Sequence, residues 1–254
     1  MSRILQAAGA VVDCIKINEI SRQCRGGHAV WIKQRRWTAG PIMACANRFF
    51  RLAGNPVQAI EDAATWQRWE VGCFLRLHGE HFHAFGEGSR AVIADEVPGR
   101  SLSHHLNART ITPAMLAAAA RELRRAHTSE CDVFHGLWSH GDPHSGNFVY
   151  EDSADLARLI DFEVMHLPAV PAALRHADDL LVLLQDMVGR IGAAEWLPCA
   201  HAFLESYARP ETITLLRNRL VVPRGLPRMW WAVRTTYMST AELERRVRAL
   251  RDSL

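Results

Sequence analysis

The alternation of apolar and polar positions changes character along the chain. Residues 11–17 and 28–34 are β-branched and alternating, and Arg25-Gly26-Gly27 between them is a turn signal, so a hairpin is predicted there. Residues 42–52 read as a short helix closed by the breakers Gly54-Asn55-Pro56. From 61 to 77, Ala64, Trp66, Trp69, Cys73, Phe74 and Leu77 recur at helical spacing. Gly72 makes that helix less regular, at a cost of about 1 kcal/mol. An apolar strand over 91–97 ends in Asp95-Glu96 and gives way, after Pro98-Gly99, to a helix starting at Ser101. Thr112 caps an alanine-rich helix with Pro113 at its first position, running to His127. Tyr150-Glu151-Asp152-Ser153 is a turn between apolar strands; 172–188 is a long helix, and the remainder to Leu254 reads as helical. There is no internal repeat or low-complexity segment.

Composition narrows the class. With 254 residues, 48% of them apolar and 22% charged, the chain can build a large core, which disfavours disorder and coiled coil. Six cysteines without a C-x-x-C pair suit reduced residues of a cytosolic enzyme better than a disulfide framework or a zinc site. The first dozen residues are too weak for a signal peptide, and no run is long enough to span a bilayer. A net charge of +3 does not indicate a nucleic-acid binder, but it conceals local basic clusters.

Two stretches carry chemistry. His140-Gly141-Asp142-Pro143-His144-Ser145-Gly146-Asn147 fits H-x-D-x-x-x-x-N, with Asp142 placed to accept the proton of an attacking hydroxyl and Asn147 to hold a metal ion. In Leu159-Ile160-Asp161-Phe162-Glu163, Asp161 ends an apolar run, where a carboxylate emerging from a buried strand binds Mg²⁺. Either alone is a weak signal; their joint occurrence, nineteen residues from Asp142 to Asp161, indicates phosphoryl transfer. His140 reads as a backbone support more than a chemical group, and His144 is compatible with either role; neither reads as a metal ligand, since Mg²⁺ prefers oxygen, and Gly141 and Gly146 permit tight geometry.

These stretches resemble the catalytic loop of the protein-kinase-like superfamily, in the branch written H-G-D-x-H-x-G-N followed by I-D-F-E. That branch includes aminoglycoside and choline phosphotransferases and the bacterial lipopolysaccharide core kinases acting on Kdo or heptose. The resemblance implies a two-lobed, protein-kinase-like α+β fold, with a small antiparallel-sheet N-lobe over 1–97 and a mainly helical C-lobe over 98–254. It implies ATP and Mg²⁺ as cofactors. Val30-Trp31-Ile32-Lys33 resembles V-A-I-K, whose lysine binds the α and β phosphates; taken alone, Lys33 is also compatible with a solvent-facing strand position. Its implied partner is Glu70, thirty-seven residues on, with Glu61 and Glu80 as alternatives. Backbone groups near Glu96 and Val97 would meet the adenine edge. Asp179 would anchor the catalytic loop from below, unless Asp178-Asp179 is simply a solvated pair.

One departure is plain: no G-x-G-x-x-G precedes Lys33, and Gly26-Gly27 lies too close to be that loop. Amides around Asn18 to Arg22 are the candidate substitute. The absence, and D-F-E in place of D-F-G, weigh against a protein Ser/Thr kinase. The forty-six residues from Glu96 to Asp142 leave little room for an antibiotic-sized acceptor pocket. Arg35-Arg36-Trp37 and the 42–52 helix suit an acidic, membrane-associated glycolipid, or equally a packing helix with solvated arginines. The layout from Lys33 to Glu70 resembles lipopolysaccharide core kinases. The expectation is transfer to a sugar hydroxyl of lipopolysaccharide core or a similar glycolipid, in the cytoplasm and peripheral on the inner face of the inner membrane. The alternatives are a small-molecule kinase, a protein kinase and a pseudokinase scaffold. The basic tail 242–251 fits either anionic lipid or a solvated face packed on one side.

Overall fold

The structure is a computed structural model that describes residues 17–235 and 238–254; apart from Ile17, the strand expected at 11–17 lies outside the described residues. Strands β1 (Asn18–Arg25) and β2 (His28–Arg35) form the hairpin, turning through Gly26 and Gly27, both at positive φ. β2 pairs antiparallel with β5 (Ala91–Asp95), which pairs with β4 (Ala84–Glu87), giving a four-stranded sheet of order β1-β2-β5-β4. Period-two alternation divides the faces of β2. Val30 and Ile32 join Ile93 in a small buried cluster, leaving Trp31 and Lys33 on the other face.

Helix α1 (Ala39–Leu52) spans the expected 42–52 segment and begins three residues earlier. Strand β3 (Val57–Ala59) follows, and then α2 (Ala63–His78), whose N-cap Asp62 accepts from the Thr65 N–H at 2.7 Å. Trp66 of α2 is fully buried, and the guanidinium of Arg35, itself buried, stacks 4.7 Å from its ring. Apolar positions at helical spacing thus fix α2 against β4 and β5, and with it the inward face that carries Glu70.

Beyond Asp95 the chain becomes mainly helical. β6 (Arg100–Ser101) pairs with β9 (Phe148–Glu151), which pairs with β10 (Leu156–Leu159); the short β7 (Glu130–Cys131) and β8 (Gly136–Leu137) pair with each other, and Gly99 enters β6 at φ +117°. A Cβ on Gly99 would stand 2.1 Å from the Tyr150 carbonyl oxygen, so only glycine fits. Helices α3 (Leu102–Ala108), α4 (Pro113–Ala126), α5 (Ala172–Val188), α6 (Ala193–Tyr207), α7 (Pro210–Arg219), α8 (Leu226–Arg234) and α9 (Thr240–Ser253) surround the main core. The caps Ser101 and Thr112 accept from His104 and Met115, as their sequence positions imply. In the tail, Leu243, Val247 and Leu250 are buried on one side of α9, the packed-helix alternative. No helix among the described residues is long and apolar enough to cross a membrane.

The architecture is α+β, an antiparallel sheet region followed by a helical one. One pairing joins the two: β11 (Val164–His166) runs antiparallel to β3, and the Leu167 N–H donates to the Pro56 carbonyl at 2.8 Å.

Candidate active site

The sheet and α2 bring charge together at one point. The ammonium of Lys33 lies 3.0 Å from Glu70 Oε1, 2.6 Å from Asp161 Oδ1 and 3.1 Å from Glu163 Oε1. Burial alone would lower the lysine; Asp161, Glu70 and Glu163 outweigh it and raise it well above its ordinary value. Glu70 is fixed from both sides, because its Oε2 accepts the Phe162 N–H at 2.9 Å. Its carboxyl is raised by burial and by Asp161, against the pull of Lys33. Of the three glutamates considered, it is Glu70 that meets Lys33, whereas Glu61 accepts from Asn47.

Glu163, which has no assigned role in the motif reading, is the third carboxylate. It also accepts from the Asn18 side-chain amide, and burial together with Asp161 pushes it up to about 7. Its position two residues after Asp161 was the available signal. Asn18–Arg22, the candidate phosphate-binding amides, form regular strand paired with β2 rather than a nest of convergent N–H groups.

The catalytic-loop candidates hang from a buried carboxylate. Asp179, on α5, accepts the N–H groups of His140 and Gly141, each at 2.8 Å, and the Nε2–H of His127 at 2.9 Å. It is fully buried and is the loop anchor, not a solvated residue. Gly141 adopts φ +91°, and a Cβ there would sit 3.1 Å from the Val164 oxygen, so the loop passes close under β11. His140 supports backbone: Nδ1 accepts the Asp142 N–H at 3.3 Å and Nε2 lies 3.2 Å from the Ile160 carbonyl. Burial lowers its basicity, consistent with a neutral ring donating from Nε2. His144 accepts the Gly146 N–H at its Nδ1.

Asn147 Nδ2 donates to the Asp142 main-chain oxygen at 2.9 Å, which leaves its Oδ1 as the atom for a cation. Asp161 holds φ +66°, a strained value for a non-glycine residue that aims a carboxylate at the Lys33 cluster. The carboxylate of Asp142 meets a group that no motif indicates: Arg234, at the end of α8, donates to its Oδ1 at 2.6 Å. Burial opposes ionisation of Asp142, but Arg234, with His144 and His140, more than offsets it and lowers the carboxyl below its ordinary range.

Above these groups is a cavity of about 270 Å³. Ile20, Trp31, Phe74, Val92, Val97 and Ile160 supply apolar walls, and Lys33, Glu70 and Asp161 form its charged end. A flat apolar slot closing on a lysine and carboxylates fits a nucleotide, base in the slot and phosphates at the lysine. Val97 lines the slot. The Glu96 N–H donates to Ala29 O at 2.9 Å and its carboxylate pairs with Arg22 at 2.7 Å, while neighbouring Asp95 lines the slot.

No group of three or more His, Cys, Asp or Glu side chains able to hold a metal occurs among the described residues. Asn147 and Asp161 supply only two oxygens, which fits Mg²⁺ held jointly by the protein and substrate phosphates. Three carboxylates around one ammonium leave excess negative charge at this point for a cation to neutralise.

No family model matches the chain, and no curated protein matches it. Among solved structures, an ethanolamine kinase from Plasmodium vivax aligns with a TM-score of 0.47 and 10% identity, over 98% of this chain and 85% of that one. The complex of Rv3197 with erythromycin from Mycobacterium tuberculosis aligns with a TM-score of 0.39 and 17% identity, over 72% of this chain. The alignment takes in about half, 51%, of the Mycobacterium chain's own length.

Proposed function

We propose that the protein is an ATP-dependent phosphotransferase that moves the γ-phosphoryl group onto an alcohol. The observation that carries this reading is the convergence of Lys33, Glu70 and Asp161 at the closed end of an apolar slot, with Asp142 and Asn147 on a loop held by Asp179. Lys33, fixed by Glu70, would bind the α and β phosphates. Asp142 would take the proton from the acceptor hydroxyl as its oxygen bonds to phosphorus and the bond to ADP breaks. Mg²⁺, held by Asn147 Oδ1 and Asp161, would supply charge neutralisation at the phosphates. Trp31 occupies the wall of the slot and would lie against the base.

For the acceptor we favour a sugar hydroxyl of lipopolysaccharide core or a related glycolipid. The support is the α1 region: from Arg35 to Ile60 the chain has no acidic residue, while Arg36, Trp37, Arg48, Arg51 and Leu52 are all exposed. A second reading, a small soluble alcohol, is favoured by a cavity of about 370 Å³ lined by Asn55, Asp178, Gln185, Arg219 and Trp231. Trp231, in its lining, lies one helical turn before Arg234 on α8.

Asp142→Ala should abolish phosphoryl transfer and leave Mg²⁺-dependent nucleotide binding intact, whereas Asp161→Ala should remove that binding. Wild-type turnover by Asp142→Ala would refute the assignment. Mass spectrometry of core glycolipid from cells with and without the gene, looking for a lost phosphate, separates the two acceptor readings.

A further inference from the structure

Of the charged groups at the site, Arg234 has the least connection to the motifs. It lies ninety-two residues beyond Asp142, outside every signature in the sequence. Its head group nevertheless reaches the carboxylate of the candidate base at 2.6 Å, with only 10% of the arginine side chain exposed. The polar groups of the loop itself are directed elsewhere. Asn147 binds the main-chain oxygen of Asp142, His140 binds its main-chain N–H and the Ile160 oxygen, and His144 binds the Gly146 N–H. None of those bonds fixes the direction of the Asp142 carboxylate, and the Arg234 bond does.

The helix that presents Arg234 is held at its other face. Trp231, one turn earlier, is buried against the core, and the Thr235 hydroxyl closes the helix by donating to the Trp231 carbonyl at 2.6 Å. Arg228, a turn and a half before Arg234, donates to Thr240 Oγ1 at 3.1 Å, tying α8 to the start of α9. The guanidinium is therefore delivered from a packed element and not from a free side chain on a loop.

We propose that Arg234 is a positioning residue for phosphoryl transfer: it orients the Asp142 carboxylate toward the acceptor hydroxyl and so makes α8 part of the catalytic centre. The inference rests on the phosphotransferase reading above. A base that must meet a hydroxyl within hydrogen-bond distance gains from having one of its oxygens pinned, because the other is then presented in a single direction. An arginine suits that task, since its planar fork is rigid and its charge does not titrate.

The test uses Mg²⁺-ATP with water as the acceptor, following ADP release, and a fluorescent ADP analogue to measure nucleotide affinity. Arg234→Ala should lower kcat roughly tenfold to a hundredfold while KM for ATP and analogue affinity stay within about twofold, the split expected of misplaced geometry at the reacting end. Arg234→Lys should recover part of the loss, and added guanidinium ion should partly rescue Arg234→Ala. A merely structural role would give neither rescue and would lower nucleotide affinity together with thermal stability. Wild-type turnover by Arg234→Ala overturns the inference. A rise in turnover also overturns it, since Arg234 would then be a latch that hinders the base. Asp142→Asn is the control for the underlying reading: if it turns over like wild type, or if wild type shows no turnover, the phosphotransferase reading and this inference fall together. If Asp142→Asn is inactive and Arg234→Ala is normal, only the inference falls.

Discussion

Beneath the loop, two imidazoles lie in parallel: His127 and His176 stack with centroids 3.9 Å apart, both buried. His127 donates from Nε2 to Asp179 and receives the Tyr207 hydroxyl at Nδ1, while His176 contacts the Trp138 carbonyl. Burial first, and His127 second, hold His176 down to about 3, so it is neutral in the folded state. The unfolded chain takes up that proton near the ordinary histidine value of about 6.5. Between these values the unfolded state binds more protons, so the stability is fully present above about pH 6.5 and is lost as pH falls toward 3, at up to about 1.4 kcal/mol per pH unit. Asp179, also held below its ordinary range, loses its contribution in the same direction. Denaturant midpoints measured from pH 7 to pH 4.5 should fall steadily, and His176→Phe should flatten that fall even though its starting stability is lower; parallel profiles would contradict this. Asp179 was legible because an aspartate at that place in a helix after the loop has a stated task. His127, Glu163 and Arg234 were not, since each acquires its role only through a partner that folding brings close from far along the chain.

Elements were easier to read than contacts. The helices at 113–126 and 172–188 carry caps or long apolar periods within their own sequence, and both were placed within a residue or so of their observed ends. β3 and β11 are three residues each and were invisible, because their pairing is the whole of their definition as strands and the partners are about a hundred residues apart. Gly99 stands between a strand and a helix in the sequence, and its constraint is steric. Gly99→Ala combines φ +117° with a 2.1 Å approach to Tyr150 O and should destabilise by at least about 1–3 kcal/mol. Gly88→Ala, at φ +57° with nothing within 4 Å, should cost only about 1 kcal/mol. Thermal unfolding of the two variants checks the difference, and equal losses would mean that the Tyr150 contact has no weight.

At the scale of the whole molecule, charge is uneven. The net charge is only +3, yet α1 and its approach carry Arg36, Arg48 and Arg51 beside Trp37 (82% exposed) and Leu52 (74% exposed), with Arg90 lying over the Trp37 ring. Each arginine near an anionic surface contributes roughly 1 kcal/mol. The protein should sediment with phosphatidylserine-containing vesicles at low salt and not with phosphatidylcholine alone. Arg48→Glu with Arg51→Glu should abolish that binding, and so should salt; binding unchanged by these substitutions would remove α1 from the account.

The β3 and β11 ribbon has a consequence for control. Phe162 is buried at 1% exposure, and the residues just after it are zipped to the segment that follows α1. An outward swing of Asp161 would have to empty the Phe162 pocket and unfasten that ribbon together. Displacement of Asp161 is therefore costly in this chain, and a compound meant to trap it away from the proposed arrangement would find more purchase on the α8 side, where the Arg234 guanidinium spans the gap to Asp142.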